Sequence, residues 1–281
     1  MVCGIVLSGG MARRFQVAGE PWRDKALHEI DGKPMISHSI EKLKRLSSRV
    51  IVAAGSLERA ELYRRVLGVE AVPDDEMMKG PLSGLYSSLK LCPHDTFIAL
   101  PNDMPFLDLA YLEELLSLAD RYDAVSPLFP NGLVETTVMA GRVPTALWVL
   151  SLLRGMNRGR VADLHRGVPR LYLSNPAGRV APQSFLNVNS RESLREKVEY
   201  PEGPVEGDVR IERDFGEREA REGRAPATLW STLFRGEYLQ EFSLYASSGV
   251  YMFAGYVLQD SPHRYERELG KIVVRSLKPS L

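Results

Sequence analysis

The chain has 281 residues, of which 44% are hydrophobic, and its 36 Lys and Arg balance 36 Asp and Glu to a formal net charge of zero. That length and apolar content suffice for one large domain with an appendage or for two domains, and a balanced charge leaves no broad positive field for nucleic acid, although a local basic pocket for a phosphorylated ligand stays open. Cys3 and Cys92 are too few and too far apart for a disulfide framework or a thiolate metal site. No basic stretch precedes an apolar one at the amino terminus, and the apolar run Val250 to Leu258 is far shorter than the roughly 20 residues of a membrane helix, so a soluble, cytoplasmic protein is expected.

In chain order, the apolar run Val2 to Leu7 predicts a buried strand, followed by a helix over Met35 to Leu46, a strand over Val50 to Ala54, a helix over Leu57 to Leu67 and a short strand over Val69 to Val72. A helix over Leu82 to Leu91, a strand over Thr96 to Leu100 and a helix over Leu109 to Leu118 come next. This alternation predicts an α/β fold: a mostly parallel, Rossmann-like sheet with helices on both faces. Beyond Asp123 the pattern loosens. Strands are expected at Ala124 to Leu128, Leu133 to Ala140, Leu171 to Leu173 and Ser184 to Val188, with helices at Ala146 to Leu153 and Arg191 to Val198.

Residues 201–226 are rich in Gly, Pro, Glu and Arg with almost no apolar periodicity, and read as a linker or an arm laid over the surface. They separate a domain of residues 1–200 from a small helical extension, 227–281. In that extension Trp230, Phe234, Tyr238, Phe242 and Tyr245 recur at helical spacing, a stripe suited to packing on the main domain, on a second copy or on a partner.

The chemistry concentrates in a few segments. Leu7-Ser8-Gly9-Gly10 follows the first strand, where open α/β sheets bind ligands, and two glycines let backbone N–H groups approach a phosphate; Arg14 and Lys25 add positive charge. Neither G-x-G-x-x-G nor G-K-[ST] is present, which argues against a dinucleotide fold and a P-loop. Asp103 follows the strand Thr96 to Leu100, stiffened by Pro101 and Pro105, and is placed to hold Mg²⁺, with Mn²⁺ as an alternative, together with substrate phosphates. Asn187 and Asn189 lie two apart on an expected strand, so their side chains share a face. Arg154, Arg158, Arg160 and Arg166 crowd one segment, open to an acidic acceptor or to solvent. The five histidines show no metal-binding spacing.

Leu7-Ser8-Gly9-Gly10 with Arg14, Asp24-Lys25-Ala26-Leu27, Gly80-Pro81-Leu82-Ser83-Gly84, Pro101-Asn102-Asp103-Met104-Pro105 and Leu186-Asn187-Val188-Asn189 together resemble the molybdenum cofactor guanylyltransferases, the molybdopterin-guanine dinucleotide biosynthesis protein A family of nucleotidyltransferases. The resemblance spans roughly the first 195 residues. It implies transfer of GMP from GTP to the phosphate of molybdopterin or its molybdenum-loaded form, with Leu7, Ser8, Gly9, Gly10, Lys25, Gly80, Pro81, Leu82 and Asp103 at the nucleotide. It further implies Asp74, or Asp75 in its place, on the guanine edge, Arg14, Lys25 and Asp103 at the reacting phosphates, and Asn187 and Asn189 at the acceptor. The chain departs from the pattern in the longer stretch Phe15 to Arg23 before Asp24. A cobinamide-phosphate guanylyltransferase, a molybdopterin cytidylyltransferase and a non-catalytic nucleotide-binding adaptor are the alternatives.

Overall fold

The computed structural model describes residues 1–10, 24–190, 192–213 and 238–277. Arg14, Trp230 and Phe234 lie outside them. Eight strands form one sheet in the order β10-β9-β7-β8-β6-β1-β4-β5: β1 (Val2–Leu7), β4 (Arg49–Ala53), β5 (Glu70–Val72), β6 (Thr96–Pro101), β7 (Ala124–Pro127), β8 (Met139–Arg142), β9 (Arg170–Ser174) and β10 (Val209–Glu212). A separate hairpin pairs β2 (Glu29–Ile30) with β3 (Lys33–Pro34). The central pairs β6-β1, β1-β4 and β4-β5 are parallel, as is β7-β9, whereas β8 and β10 run antiparallel to their neighbours.

Strand alternation assigns the two cores. Cys3, Ile5 and Leu7 of β1 face α3 (Pro81–Lys90), α5 (Val143–Gly155) and α6 (Val161–Gly167), while Val6 faces α1 (Met35–Leu46), α2 (Leu57–Leu67) and α4 (Leu109–Leu118). The carboxyl-terminal helices α7 (Tyr238–Ser247), α8 (Tyr251–Gln259) and α9 (Arg264–Leu277) close the first of these layers. Tyr238, Tyr245, Phe253 and Val257 are buried in the same apolar cluster as Leu82, Val149 and Leu164. The described part of the aromatic stripe therefore packs on the main body.

Several expectations past Asp123 are corrected. Ser184 to Val188 is not a strand: a 3₁₀ turn spans Pro182–Phe185, and the chain then leaves the sheet so that Leu186 and Val188 pack on Ile30 and Met35. The Arg191 to Val198 helix is only a 3₁₀ turn, Glu192–Arg195. The Leu133 to Ala140 strand shortens to Met139–Arg142, preceded by an isolated bridge between Leu128 and Val134. Within the segment read as a linker, Val209–Glu212 is the edge strand β10 on β9, held by backbone pairing that apolar periodicity does not report. Cys3 and Cys92 form a disulfide with Cα atoms 6.1 Å apart, because the sheet brings the start of β1 beside the end of α3 across 89 residues of chain. A loop that long is where a cross-link most restricts the unfolded chain.

The four arginines are engaged in ion pairs within the protein, with Arg154 and Arg160 still partly exposed. Arg154 pairs with Asp75 at 2.9 Å, Arg158 with Asp163 and Asp260, and Arg160 with Asp260. Arg166 is fully buried and bonds Asp163, Glu241 and Asp260 at 2.7–3.1 Å, tying α6 to α7 and the end of α8. Removing residues 201–281 uncovers the β9 edge and strips Glu241 and Asp260 from Arg166. A chain ending at residue 200 is expected to lose its cooperative thermal transition, measured by calorimetry; an intact transition would show residues 1–200 to be self-sufficient, as the sequence boundary near 200 predicts.

His165 is buried beside the same network, its Nδ1–H donating to the Val161 carbonyl at 3.1 Å while Nε2 lies 2.8 Å from the Ser126 hydroxyl. Burial pushes its pKa down from 6.5 to about 4. The neutral ring is thus the folded form, and below pH 6.5 protons bind the unfolded chain first. Stability is expected to fall by up to about 3 kcal/mol between pH 6.5 and 4 from this group. Urea unfolding of the wild type and His165→Gln at pH 7 and 4.5 measures it: the variant should lose less on acidification, and equal losses would remove His165 from the acid response.

Candidate active site

A cleft of about 480 Å³ opens at the carboxyl ends of β1, β4, β5 and β6, where parallel strands leave their terminal loops free to meet a ligand. Leu7, Ser8, Gly9 and Gly10 form one wall, and Gly80, Pro81 and Gly84, at the start of α3, form another. Asp74, Asp103 and Asn187 complete the residues expected at this place. Leu82, Lys25 and Asn189 are not among them: the Leu82 side chain is fully buried in the core beneath α3, and Lys25 and Asn189 meet behind Asp103.

Asp74 follows β5 and is held from two sides. Gly55 N–H donates to its Oδ1 at 3.1 Å and Ser83 Oγ to its Oδ2 at 2.7 Å. The glycines around it are required by close approach. A Cβ on Gly9 would stand 3.0 Å from Asp74 Oδ2, and one on Gly84 would stand 2.8 Å from Asp74 Oδ1 and 2.6 Å from Ala53 Cβ. Asp75, its neighbour, turns away to Arg154, whose guanidinium holds the Asp75 carboxyl below the usual carboxylate range. Of the two acidic residues, only Asp74 lines the cleft.

Lys25 opens a short 3₁₀ turn, Lys25–Leu27, capped by Asp24, which accepts from the Ala26 N–H at 3.0 Å. The Lys25 chain is 6% exposed, and its Nζ donates to Asp103 Oδ2 at 2.9 Å and to Asn189 Oδ1 at 2.8 Å. Two residues, 78 and 164 positions further along the chain, thus share the Lys25 ammonium. Asn187 and Asn189 do not share a strand face, as corrected above. The irregular segment is instead anchored by Val188 N–H donating to the Asp103 carbonyl at 2.8 Å, so that Asn187 lines the cleft and Asn189 meets Lys25.

Asp24 does not face the cleft as a ligand. It accepts from Arg59 Nε at 3.0 Å and from Tyr63 Oη at 2.8 Å. Burial keeps the Tyr63 phenol protonated by pushing its pKa up, with the Asp24 charge adding to the effect. Tyr63 Oη lies 3.1 Å from Ser8 Oγ, which also accepts from Asn102 Nδ2 at 2.7 Å. Arg59, Tyr63, Ser8, Asn102 and Asp24 therefore brace the glycine loop from below. Arg59 and Tyr63 stand one turn apart on α2, whose amino end Ser56 caps by accepting from Arg59 N–H at 3.3 Å. Sequence reasoning missed Arg59 and Tyr63, since on a surface helix an Arg and a Tyr four residues apart look like many others. Glu135 and Thr137, in the β7–β8 connection, also line the cleft and were likewise missed.

Among the described residues, no group of three His, Cys, Asp or Glu is gathered as for a metal ion, and no helix is long and apolar enough to cross a membrane. The donors at the cleft are oxygens: the Asp103 carboxylate, whose side chain is 20% exposed, and the Asn187 amide. That set suits a hard divalent ion held by one carboxylate and completed by substrate phosphates, not a cage made wholly of protein.

The family model described as "MobA-like NTP transferase domain" matches residues 4–166. A Pyrococcus horikoshii protein named "Probable molybdenum cofactor guanylyltransferase" is 34% identical over 195 residues, 67% of this chain and 95% of that protein. A Shewanella putrefaciens protein named "Molybdenum cofactor guanylyltransferase" is 26% identical over 204 residues, 70% of this chain and 94% of that protein. The crystal structure of molybdopterin-guanine dinucleotide biosynthesis protein A from Archaeoglobus fulgidus shares the fold, with a TM-score of 0.56 and 19% identity across 69% of this chain and 95% of that one. With its motifs gathered at one cleft and a match over more than half its length, the chain belongs to the MobA-like NTP transferase family and is a nucleotidyltransferase.

Proposed function

We propose that the chain transfers GMP from GTP to the terminal phosphate of molybdopterin, or of its molybdenum-loaded form, releasing pyrophosphate. The observation that carries this reading is the meeting of Lys25, Asp103 and Asn189 beside the glycine loop, with Asp74 in the same cleft. The names of the relatives supply the substrate class.

The acceptor phosphate is already anionic and attacks the α-phosphorus in line, so no general base is required, and the obstacle is bringing two anions together. The Gly9 and Gly10 backbone approaches the triphosphate, and Lys25 supplies a fixed positive charge beside the reacting phosphates; Arg14 joins it on sequence grounds alone. Asp103, with Asn187 nearby, would hold Mg²⁺ or Mn²⁺, which when bound neutralises charge developing on the phosphoryl oxygens. Lys25 keeps Asp103 and Asn189 in place, so the metal-binding carboxylate and the acceptor wall are set by one side chain. The Asp24, Arg59 and Tyr63 network keeps the glycine loop where its N–H groups are useful, which is positioning and not chemistry.

Asp74 supplies the carboxylate that accepts the N1–H and 2-amino donors of guanine, while Ser83 and Gly55 fix its orientation. GTP is therefore expected to be used at least about 10²-fold better than CTP or ATP, because the wrong base edge offers no matching pair of donors to the half-buried Asp74 carboxylate. Pyrophosphate release with each nucleotide tests this, and Asp74→Asn should narrow the ratio. Equal use of CTP would move the chain to the cytidylyltransferases, and a failure to release pyrophosphate with any nucleotide would leave a nucleotide-binding adaptor.

A further inference from the structure

We propose that α9 pairs with α9 of a second copy of this chain, antiparallel, about a two-fold axis passing between Leu269 and Ile272. The pairing is independent of the reaction that the cleft performs. One face of α9 is apolar and open: Tyr265 is 79% exposed, Leu269 40% and Ile272 61%. Their spacing of four and three, with Ser276 four further on, places them on a single stripe. The opposite face is already committed. Gly270 and Val274 are buried, and a Cβ on Gly270 would stand 2.4 Å from the Gly255 carbonyl oxygen of α8. Gln259 Nε2 donates to the Gly270 carbonyl at 3.2 Å, and Asn131 Nδ2 donates to the Leu277 carbonyl at 2.8 Å. Two helix backbones held that closely leave α9 no room to roll its stripe inward.

The charges beside the stripe select both the occupant and its direction. Glu268 and Arg275 are exposed and stand seven residues apart, two helical turns, so they flank the stripe on the same side. In an antiparallel pair about this axis, Leu269 of each copy lies level with Ile272 of the other, and the small Ser276 meets the large Tyr265. Glu268 then stands within about 3 Å, measured along the helix axis, of Arg275 of the second copy, and the two-fold symmetry makes that opposite-charge pair twice. Glu268 already accepts from Lys271 of its own helix at 2.8 Å, and a carboxylate has lone pairs for a second donor. Parallel helices would set Glu268 against Val273 and give Arg275 no acidic residue. The face of α9 is therefore complementary to itself when inverted, in shape and in charge. Three apolar side chains from each copy make a small interface, so the dimer is weak, half assembled at about 10–100 μM.

Sedimentation velocity on the full chain tests this. Between about 1 and 500 μM the wild type should pass from monomer to dimer. Ile272→Glu places a charge at the centre of the stripe and should leave a monomer at every concentration. Glu268→Arg and Arg275→Glu should each weaken association about tenfold, because each sets two like-charge pairs in place of two attractive ones. The double variant, which exchanges the two charges, should return to within about twofold of the wild type, a rescue that a general loss of surface charge or of helix stability does not produce. Glu268, Ile272 and Arg275 are all exposed, so each variant should keep the circular dichroism of the wild type. A dimer that survives Ile272→Glu, or single charge variants that the double variant does not rescue, would overturn the pairing. A wild type that stays monomeric throughout would overturn it as well, and would give the face to another segment of this chain or to a different protein.

Discussion

Asp103→Ala is expected to slow guanylyl transfer by about 10²- to 10³-fold or more, because it removes both the carboxylate proposed to hold the metal at the reacting phosphates and the partner of Lys25. Lys25→Ala should cost a similar factor for a different reason. Its ammonium is nearly buried and holds Asp103 and Asn189 together, so its loss removes the charge proposed to act at the phosphates and leaves Asp103 without that partner. Both single losses should fall more on kcat than on GTP binding, since the charges matter most as negative charge develops toward pyrophosphate. Because the two side chains act as a unit, the double variant should be little worse than either single one. Independent, additive losses would show that Lys25 and Asp103 serve separate steps, and near-normal turnover of Asp103→Ala in saturating Mg²⁺ would remove the metal role.

Arg166→Met should destabilise the protein by about 3–5 kcal/mol, the cost of breaking a buried ion-pair network by removing its central cation. Arg166 has no solvent exposure, and burial alone would favour its neutral form. The charges of Glu241, Asp260 and Asp163 overcome this and raise its pKa well above the ordinary value. Truncating it takes the shared guanidinium from three buried carboxylates of α6, α7 and the end of α8, leaving Asp163 and Asp260 to Arg158. Chemical denaturation read by circular dichroism measures the loss. Replacing Arg166 and Glu241 together with apolar residues should recover part of it, since an apolar pair leaves fewer unpaired charges than one broken pair. A loss below about 1 kcal/mol for the single variant would mean that water reaches the network and that α7 is held chiefly by its aromatic contacts.

Most elements before Asp123 could be read from the order of residues. The spacing of Leu57, Ala60, Tyr63 and Leu67 predicts α2 with the ends that it has, and the apolar run through Leu7 predicts β1. Periodicity of this kind reports which face of an element is buried, and in a doubly covered sheet every helix and strand has such a face. Asp103 at the end of a buried strand and glycines after the first strand were legible for the same reason: chain direction in a parallel sheet places strand ends at one edge. Past Asp123 the elements are held by other means. β10 is kept by backbone pairing with β9, and Leu186 and Val188 are kept by a small cluster off the sheet, so neither shows a period.

By itself, then, the order of residues determined the α/β sheet, the glycine loop and the family. Only the tertiary structure decided which side chains meet. Lys25 joins Asp103 and Asn189 across 78 and 164 positions, Asp24 turns to Arg59 and Tyr63, Asp74 and not Asp75 faces the cleft, Cys3 reaches Cys92, and four arginines are drawn into internal ion pairs. The physical reason is one of range. Hydrophobic period and turn chemistry act over a few residues, whereas a hydrogen bond or an ion pair between distant positions exists only after packing has set both backbones in place.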